Sequence, residues 1–465
     1  MPKGGVDVIV NDIQNNPQCP HGPTILFLKQ IKGGEIKKYF SCSACRDKKE
    51  CKFFLWMDQK NNYNKATWDL EIMNFKKGIN HRQMFINLNE ILEANTKKWF
   101  CNTCNELSVD GKKHNFSHLV LKGLTVDDLE RPSEILPPLN DSKKEAQYHF
   151  SESSVEVIIR IFKQLRYQYV ICVGTPRIHE YIKNKCPNLS SILLDIDKRF
   201  HNFFGPLEFC WYNMFNNHFF FDEAQDVFET YLQSNRGKGM VLITDPPFGG
   251  RTEILSATFN RINESYKKLN DIKTDLPMFW IYPYFMEPQI VNVMPNFTML
   301  DYKIEYDNHR SFQNSPKGRK HGSPIRLFTN LKPSLIELPS KDYKYCDMCE
   351  RWVSKENRHC GMCHACTSKN GETYTHCYVC MRCVKPSWKH CQTCNRCAQV
   401  DHTCKTLAFI KECFNCKEKG HKKTNCPLLT IIDKQEIKKP LTKVDKQEKR
   451  KPLTYGINLK KKLKT

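Results

Sequence analysis

Val241-Leu242-Ile243-Thr244-Asp245-Pro246-Pro247-Phe248 is the stretch on which the reading of this chain turns. An apolar run leads straight into an acid, two prolines and an aromatic ring. The run has the character of a buried strand, and it stops where proline withdraws the backbone donors a ladder needs. The Asp245 carboxylate and the Pro246 carbonyl then become rigid acceptors at the carboxyl end of a strand, where open α/β sheets bind ligands. Such a pair suits an exocyclic amine whose lone pair is delocalised into a ring. By accepting both N–H bonds it favours a pyramidal, more nucleophilic nitrogen. Phe248 supplies a face on which a flipped or unpaired base can stack.

Working outward, the pattern around this octapeptide is strand–helix alternation. Strand candidates are Tyr169–Val173, Ser191–Leu194, Met240–Thr244, Pro277–Pro283, Phe297–Tyr306 and Ile325–Thr329. Amphipathic helices are expected at Val155–Arg166, Arg177–Lys185, Glu223–Gln233 and Glu253–Leu269. This places an α/β domain at about 135–340 that contains only Cys172, Cys186 and Cys210 of the 24 cysteines. The last two strands follow one another without a helix between them, so a parallel sheet ending in an antiparallel pair is expected.

Asp-Pro-Pro-Phe resembles the [Asp/Asn]-Pro-Pro-[aromatic] motif of amino-directed methyltransferases, which implies a class I, Rossmann-like domain and S-adenosyl-L-methionine as cofactor. The cofactor side is less regular. Tyr169-Val-Ile-Cys-Val-Gly174-Thr-Pro-Arg177 marks the first strand-to-helix turn with a single glycine. Arg177 is either a ligand for the methionine carboxylate or a plain surface arginine. Asp195 ends the next strand, where a carboxylate takes ribose hydroxyls in nucleotide-binding α/β folds; Asp197 competes for that role. Asn213-Met214 follows the third strand region and could flank the adenine ring.

Most of the remaining cysteines fall in Cys-x-x-Cys pairs among histidines, a pattern of thiolates on zinc in a reducing compartment rather than of disulfides. Cys19-Pro-His21, Cys42 and Cys51-Lys-Phe-Phe-Leu-Trp56 resemble a GRF-type finger over 17–60, with ligands Cys19, His21, Cys42 and Cys51 and the aromatic stretch Phe53, Phe54 and Trp56. Cys45 is a surplus thiol within reach of the same metal. Cys101, Cys104, His114 and His118 have the order of a C2H2-type module at 99–120, with a middle too short for the usual groove-reading helix. Residues 343–406 hold a repeat: His359-Cys360-x2-Cys363-x2-Cys366, His376-Cys377-x2-Cys380-x2-Cys383 and His390-Cys391-x2-Cys394-x2-Cys397. With Cys346, Cys349, His402 and Cys404 they make sixteen ligands, enough for four tetrahedral sites, whose pairing sequence does not settle. This block resembles the DHHC-like cysteine-rich domain, but its tetrapeptide is Asp401-His402-Thr403-Cys404 and no membrane helix flanks it. A structural or RNA-contacting cluster fits better than palmitoyl transfer. Cys413-x2-Cys416-x4-His421-x4-Cys426 is a CCHC knuckle at 411–428, with Phe414 and neighbouring lysines suited to unpaired bases. About seven zinc sites are expected in all.

These modules, in this order, are similar to those of the CCHC zinc-finger large-subunit rRNA adenine-N6 methyltransferase family. The likeness covers about residues 17–428. It is carried by Ala146-Gln147-Tyr148-His149-Phe150, Val173-Gly-Thr-Pro-Arg177, Leu194-Asp195-Ile-Asp197, Tyr212-Asn213-Met-Phe-Asn216 and Thr244-Asp-Pro-Pro-Phe-Gly-Gly250. The resemblance implies that Gln147, Tyr148, His149 and Phe150 line the cofactor with Arg177, Asp195, Asn213, Met214 and Asp245. Asp245, Pro246, Pro247 and Phe248 would be the catalytic element.

A formal net charge of +22 points the same way, because lysine and arginine in such excess serve a polyanionic partner, here RNA. No run of 18 apolar residues, signal peptide or lipidation motif speaks for a membrane. The tail at 430–465 repeats Asp433–Thr442 as Asp445–Thr454, is lysine-rich, and is expected to be disordered. It suits loose phosphate binding or targeting to the nucleus or nucleolus, alongside a cytoplasmic pool. Lys317-Gly-Arg319-Lys320, between the last two strands, could add phosphate contacts. Three rivals stay open: a DNA adenine methyltransferase, a protein glutamine methyltransferase, and a non-catalytic zinc-finger RNA-binding protein.

Overall fold

The computed structural model describes residues 6–30, 35–45, 49–109, 117–137, 148–308, 323–368 and 373–404. His114, Gln147, Lys317–Lys320, the knuckle ligands Cys413, Cys416, His421 and Cys426, and the tail lie outside the described residues. Two compact units are present, Val6–Lys355 and a second beginning at Glu356.

The first unit is built on an eight-stranded sheet: β1 (Tyr169–Val173), β2 (Ser190–Asp195), β3 (Phe209–Asn213), β4 (His218–Phe219), β5 (Met240–Thr244), β6 (Met278–Pro283), β7 (Thr298–Lys303) and β8 (Ile325–Thr329). Its order is β4-β3-β2-β1-β5-β6-β8-β7. β3, β2, β1, β5 and β6 are parallel, and β8 runs antiparallel between β6 and β7. That is the expected α/β, Rossmann-like sheet closing in an antiparallel pair. The strands read as near-continuous apolar runs because both faces are covered. Val170, Cys172, Val241 and Ile243 face one core with α1 (Glu152–Gln164), which buries Val155, Ile158, Ile159 and Phe162. Ile171, Val173 and Leu242 face the other with α3 (Asp222–Leu232) and α4 (Thr252–Asn270). Each such aliphatic or aromatic side chain contributes roughly 1.5–3 kcal/mol of burial before ordering entropy is counted.

α1 starts where Ser151 accepts from the Ser154 N–H. The turn after β1 holds Gly174 at φ +66, followed by Pro176 in the first turn of α2 (Pro176–Lys185), the position where a missing N–H costs nothing. Between β6 and β7 lies a short helix, α5 (Glu287–Val293), which the sequence reading does not contain. The run Phe297–Tyr306 is a strand only over Thr298–Lys303; a register shift follows Leu300, and Tyr306 makes a separate antiparallel bridge with Phe150.

A four-stranded antiparallel sheet (Val6–Ile9, Ile25–Gln30, Ile36–Ser41, Phe54–Trp56) forms the N-terminal module. Two helices that the sequence reading leaves unassigned follow it, Lys65–Lys76 and His81–Glu93, capped by Asn64 and Asn80. Cys101 and Cys104 lie at the turn of a three-stranded sheet (Lys98–Cys101, Glu106–Ser108, Val120–Leu124). The hairpin Tyr343–Cys346/Arg351–Ser354, grouped by sequence with the cysteine repeat, packs in the first unit. The Tyr343 hydroxyl accepts from the Lys303 N–H at 3.1 Å, and the Ser354 N–H donates to Asp301 at 3.1 Å. Asp301 is itself in a buried ion pair with Arg326 at 2.8 Å.

The second unit is a chain of two-stranded hairpins, His359–Cys360/Ala365–Cys366, Thr375–Cys377/Arg382–Val384 and Trp388–Cys391/Arg396–Gln399. In each Cys-x2-Cys turn the next residue is left-handed: His364 (φ 48), Met381 (φ 50) and Asn395 (φ 47). Asn105 (φ 55) and Glu350 (φ 50) repeat the device in the first unit. Only clamping of the turn holds such residues there against a cost of roughly 1–2 kcal/mol.

Candidate active site and zinc modules

The carboxyl ends of β1, β2 and β5 converge. The Asp245 N–H reaches the Val173 carbonyl at 3.4 Å, and the Gly174 N–H donates to the Leu194 carbonyl at 2.9 Å. A Cβ at Gly174 would stand 2.7 Å from Met214 Cε and 3.6 Å from the Asp245 carbonyl oxygen, and φ +66 is a backbone conformation that strains any other residue there. Gly174, Met214 and Asp245 therefore meet at one spot.

Asp245 is half-buried, and burial holds its carboxyl well above the usual carboxylate range. The Tyr306 hydroxyl opposes that shift by donating to Oδ1 at 3.2 Å and Oδ2 at 3.1 Å. Buried Tyr282, from β6, fixes the loop behind the aspartate, its hydroxyl donating to the Gly250 carbonyl at 2.6 Å. The Gly250 N–H in turn donates to Pro247 at 2.7 Å. Pro246 is buried, and Phe248 is half-buried with its ring stacked on Tyr148 at 5.4 Å and 20°. Tyr148 and Phe150 flank Tyr306 at 5.7 and 5.3 Å. The outcome is a carboxylate and a rigid carbonyl set in an aromatic surround, fit to accept two N–H bonds from a planar heterocycle. Sequence reasoning missed Tyr282 and Tyr306. The only signal for Tyr306 was a polar aromatic at the end of an apolar run.

Around the cofactor-side residues, the Phe150–Tyr306 bridge is tied down by Arg177. Its Nη1 donates to the Phe150 carbonyl at 2.8 Å and to Asp307 at 2.5 Å. Two polar atoms here, His149 Nδ1 and Arg177 Nε, are buried without a protein partner, which fits a polar ligand seated against them. Burial, reinforced by Arg177, pushes His149 down to about 4, so it is neutral at pH 7. Of the two candidate acids, Asp197 is engaged by Arg199 at 2.6 Å and caps a helical turn. Asp195, pushed up to about 7 by burial and by Asp197, takes the Asp197 N–H at 2.9 Å and keeps its place at the strand end. The Asn213 side chain does not lie open to a base. It is fully buried, and its amide donates to the His21 carbonyl at 2.8 Å and to Ser43 at 3.0 Å. A concavity of about 550 Å3 beside α3 and α4 holds none of these residues.

A tetrahedral zinc sets its sulfurs about 3.8 Å apart, and sulfur to nitrogen about 3.6 Å. Cys19, His21, Cys42 and Cys51 come together with ligand atoms within 4.8 Å, all buried. Cys45 stands beside them, 3.5 Å from His21 Nε2, with its N–H on Cys42 Sγ at 3.3 Å. In the C2H2-type module His118 Nδ1 lies 3.6 Å from Cys101 and 3.2 Å from Cys104. The second unit resolves three pairings: Cys360, Cys363, His376 and Cys383; Cys377, Cys380, His390 and Cys397; Cys391, Cys394, His402 and Cys404. The first two sets each borrow from two successive repeats and the third from the last repeat and the residues after it, so the repeats interlock. Sulfur separations of 3.7, 3.6 and 3.6 Å (Cys363–Cys383, Cys380–Cys397, Cys391–Cys404) match the zinc tetrahedron. Cys346 and Cys349 lie at the hairpin turn of the first unit, and His359 and Cys366 on the first hairpin of the second.

The aromatic stretch of the GRF-like finger splits by strand alternation. Phe53 is core, 1% exposed against Tyr63 and Trp68, and so has no face to offer nucleic acid. Phe54 and Trp56 point the other way and join Tyr39 and Phe27 in a half-exposed row, with Lys37 over Trp56 at 5.8 Å. One-sided burial of a strand dictates this alternation.

A parallel-to-antiparallel sheet carrying Asp-Pro-Pro-Phe at the end of β5 defines a class I methyltransferase. Residues 141–332 match the family described as probable N6-adenine methyltransferase, and residues 17–60 match the GRF zinc finger. Over 91% of its length the chain is 45% identical to the rRNA N(6)-adenosine-methyltransferase ZCCHC4 of Xenopus tropicalis, covering 89% of that protein. The same-named proteins of Homo sapiens and Mus musculus are 41% and 43% identical over 88% and 91% of the chain, covering 82% and 85% of theirs. The chain belongs to the rRNA N(6)-adenosine-methyltransferase family.

Proposed function

We propose that this protein methylates the N6 amine of an adenosine in large-subunit rRNA. The observation that carries the reading is the Asp245 carboxylate at the end of β5, beside a proline carbonyl and within an aromatic surround. S-adenosylmethionine supplies an electrophilic methyl group when bound. Gln147–Phe150, Arg177, Asp195 and Met214 are the residues proposed to hold it, with His149 Nδ1 and Arg177 Nε as polar atoms in need of partners and buried Asn213 shaping the turn that carries Met214. Asp245 and the Pro246 carbonyl accept the two N–H bonds of the adenine amine and direct its lone pair. Asp245, with its proton affinity raised by burial, is suited to receive the proton that nitrogen sheds after transfer. Phe248 and Tyr148 offer the stacking faces.

About seven zinc sites complete the molecule, the knuckle at Cys413–Cys426 among them. Among the described residues no helix is long and apolar enough to cross a membrane. The charge and the finger's aromatic row suit unpaired RNA. The nucleus and nucleolus, with a cytoplasmic pool, are the proposed locations, on the strength of the basic tail and of the substrate.

The test is incubation of purified protein with labelled S-adenosylmethionine and separate rRNA, mRNA, DNA and protein pools. Label confined to large-subunit rRNA is expected. Label in DNA or in protein glutamine would favour those rivals, and no label in any pool would favour a non-catalytic binder.

A further inference from the structure

The GRF module is wired into the loop that follows β3, and the wiring passes through the metal ligand His21. The His21 carbonyl accepts from two buried amides, Asn213 at 2.8 Å and Asn216 at 3.0 Å. Asn216 donates again to the Pro23 carbonyl at 2.8 Å, and its own carbonyl accepts from Gln14 at 3.1 Å. Asn213 donates also to Ser43, next to Cys42. Its Oδ1 accepts from the Phe215 N–H at 3.0 Å, which closes the turn on which Met214 sits. Met214 Cε in turn lies close against Gly174, which sits at φ +66. One side chain thus holds the zinc module and shapes the turn that presents Met214.

Two further contacts make the junction tight. A Cβ on Gly22, beside His21 and at φ +92, would stand 2.4 Å from His218, so only glycine lets the finger approach β4 this closely. Phe75 packs on the His21 ring at 4.9 Å and on Trp211 of β3 at 5.4 Å. On the catalytic side Arg251, directly after Gly250, donates to the Val6 carbonyl, and Ile13 and Ile25 pack with Ile254 and Phe215.

We propose that Asn216 and Asn213 are positioning residues through which the folded, metal-loaded GRF module sets the cofactor loop, so that zinc at Cys19, His21, Cys42 and Cys51 and S-adenosylmethionine bind with positive coupling. The proposal rests on the cofactor site assigned under Proposed function. The His21 backbone is held on one side by metal ligation and on the other by the two amides. Loss of metal frees that backbone, and the Asn213–Asn216 turn loses two of its anchors. By linkage the cofactor must then protect the metal site to the same degree.

Asn216→Ala removes two donors and touches neither metal nor cofactor. Calorimetry on the full-length variant should give a Kd for S-adenosylmethionine raised about tenfold, within the roughly 5- to 150-fold range of coupling between two sites. KM for the cofactor should rise by the same factor while kcat holds, and zinc content should stay at the wild-type value. Should that variant fold poorly, wild-type protein serves. In the presence of a chelator, S-adenosylhomocysteine should slow alkylation of Cys19, Cys42 and Cys51, read by peptide mass spectrometry, and leave Cys391 and Cys394 unaffected. Cofactor affinity within twofold of wild type in the variant, or equal alkylation with and without ligand, would overturn the coupling alone. A wild-type protein that binds no S-adenosylmethionine would overturn the site assignment and the coupling together.

Discussion

Replacing Tyr306 by phenylalanine removes one hydroxyl and leaves the aromatic packing on Phe150 and Tyr148 in place. That hydroxyl donates to both oxygens of Asp245, at 3.1 and 3.2 Å, and it counters the upward push of burial on the carboxyl. A hydrogen bond to a charged acceptor is worth about 1.5–3 kcal/mol, so the ionised form of Asp245 should lose that much in Tyr306→Phe. If the ionised form accepts the adenine amine, kcat near neutral pH should fall roughly 10- to 150-fold, each 1.36 kcal/mol being tenfold. The sign of the pH effect follows. The carboxyl, already raised, rises further, so the acidic limb of the rate profile moves to higher pH and activity partly recovers in alkaline buffer. The assay is transfer of labelled methyl to rRNA from pH 5.5 to 9, with cofactor affinity measured in parallel. An unchanged acidic limb at wild-type rate would refute the role given to the Tyr306–Asp245 contact.

Burial pushes His179 and His201 down to about 3, so both are neutral in the fold. Their contribution is full above the unfolded value near 6.5 and falls as pH drops, by about 2 kcal/mol each at pH 5. Urea titrations should therefore show acid lability, with a shallower slope in His201→Phe; equal slopes would count against this source. Met381 pays a left-handed backbone penalty at φ 50, so Met381→Gly should stabilise its cluster by about 1 kcal/mol. Faster zinc loss to a competing chelator in that variant would contradict the reading of the turn. Elemental analysis of native protein should find about seven zincs per chain, and fewer than about four would contradict the ligand sets.

The α/β core was legible because its strands are buried on both faces and its helices on one, so composition and period carry the assignment. The place of Asp245-Pro-Pro-Phe248 at the end of β5 was legible because an apolar run meets two prolines there. What sequence could not supply are relations across the chain. Tyr306 reaches Asp245 over 61 residues and Asn213 reaches His21 over 192. Neither distance leaves a local trace. Asn213, read as a cofactor neighbour, spends its amide on the finger. Phe53 and Trp56 looked alike in a run of aromatics, although strand alternation alone separates a core ring from an outward one. The helices Lys65–Lys76 and His81–Glu93 escaped notice because the first buries no residue fully and the second only Leu88 and Ile91, so the apolar stripe is faint. The ligand pairing in the cysteine repeat needs coordinates, since no set is drawn from one repeat alone.

Asp245 is the proposed acceptor for an adenine amine, and digestion of reacted rRNA to nucleosides tests that role most directly. Wild-type protein with S-adenosylmethionine and large-subunit rRNA should yield N6-methyladenosine by mass spectrometry. Asp245→Ala should yield none while keeping the wild-type zinc content. Methyl on another atom or another base, or N6-methyladenosine at the wild-type rate from Asp245→Ala, would contradict the claim.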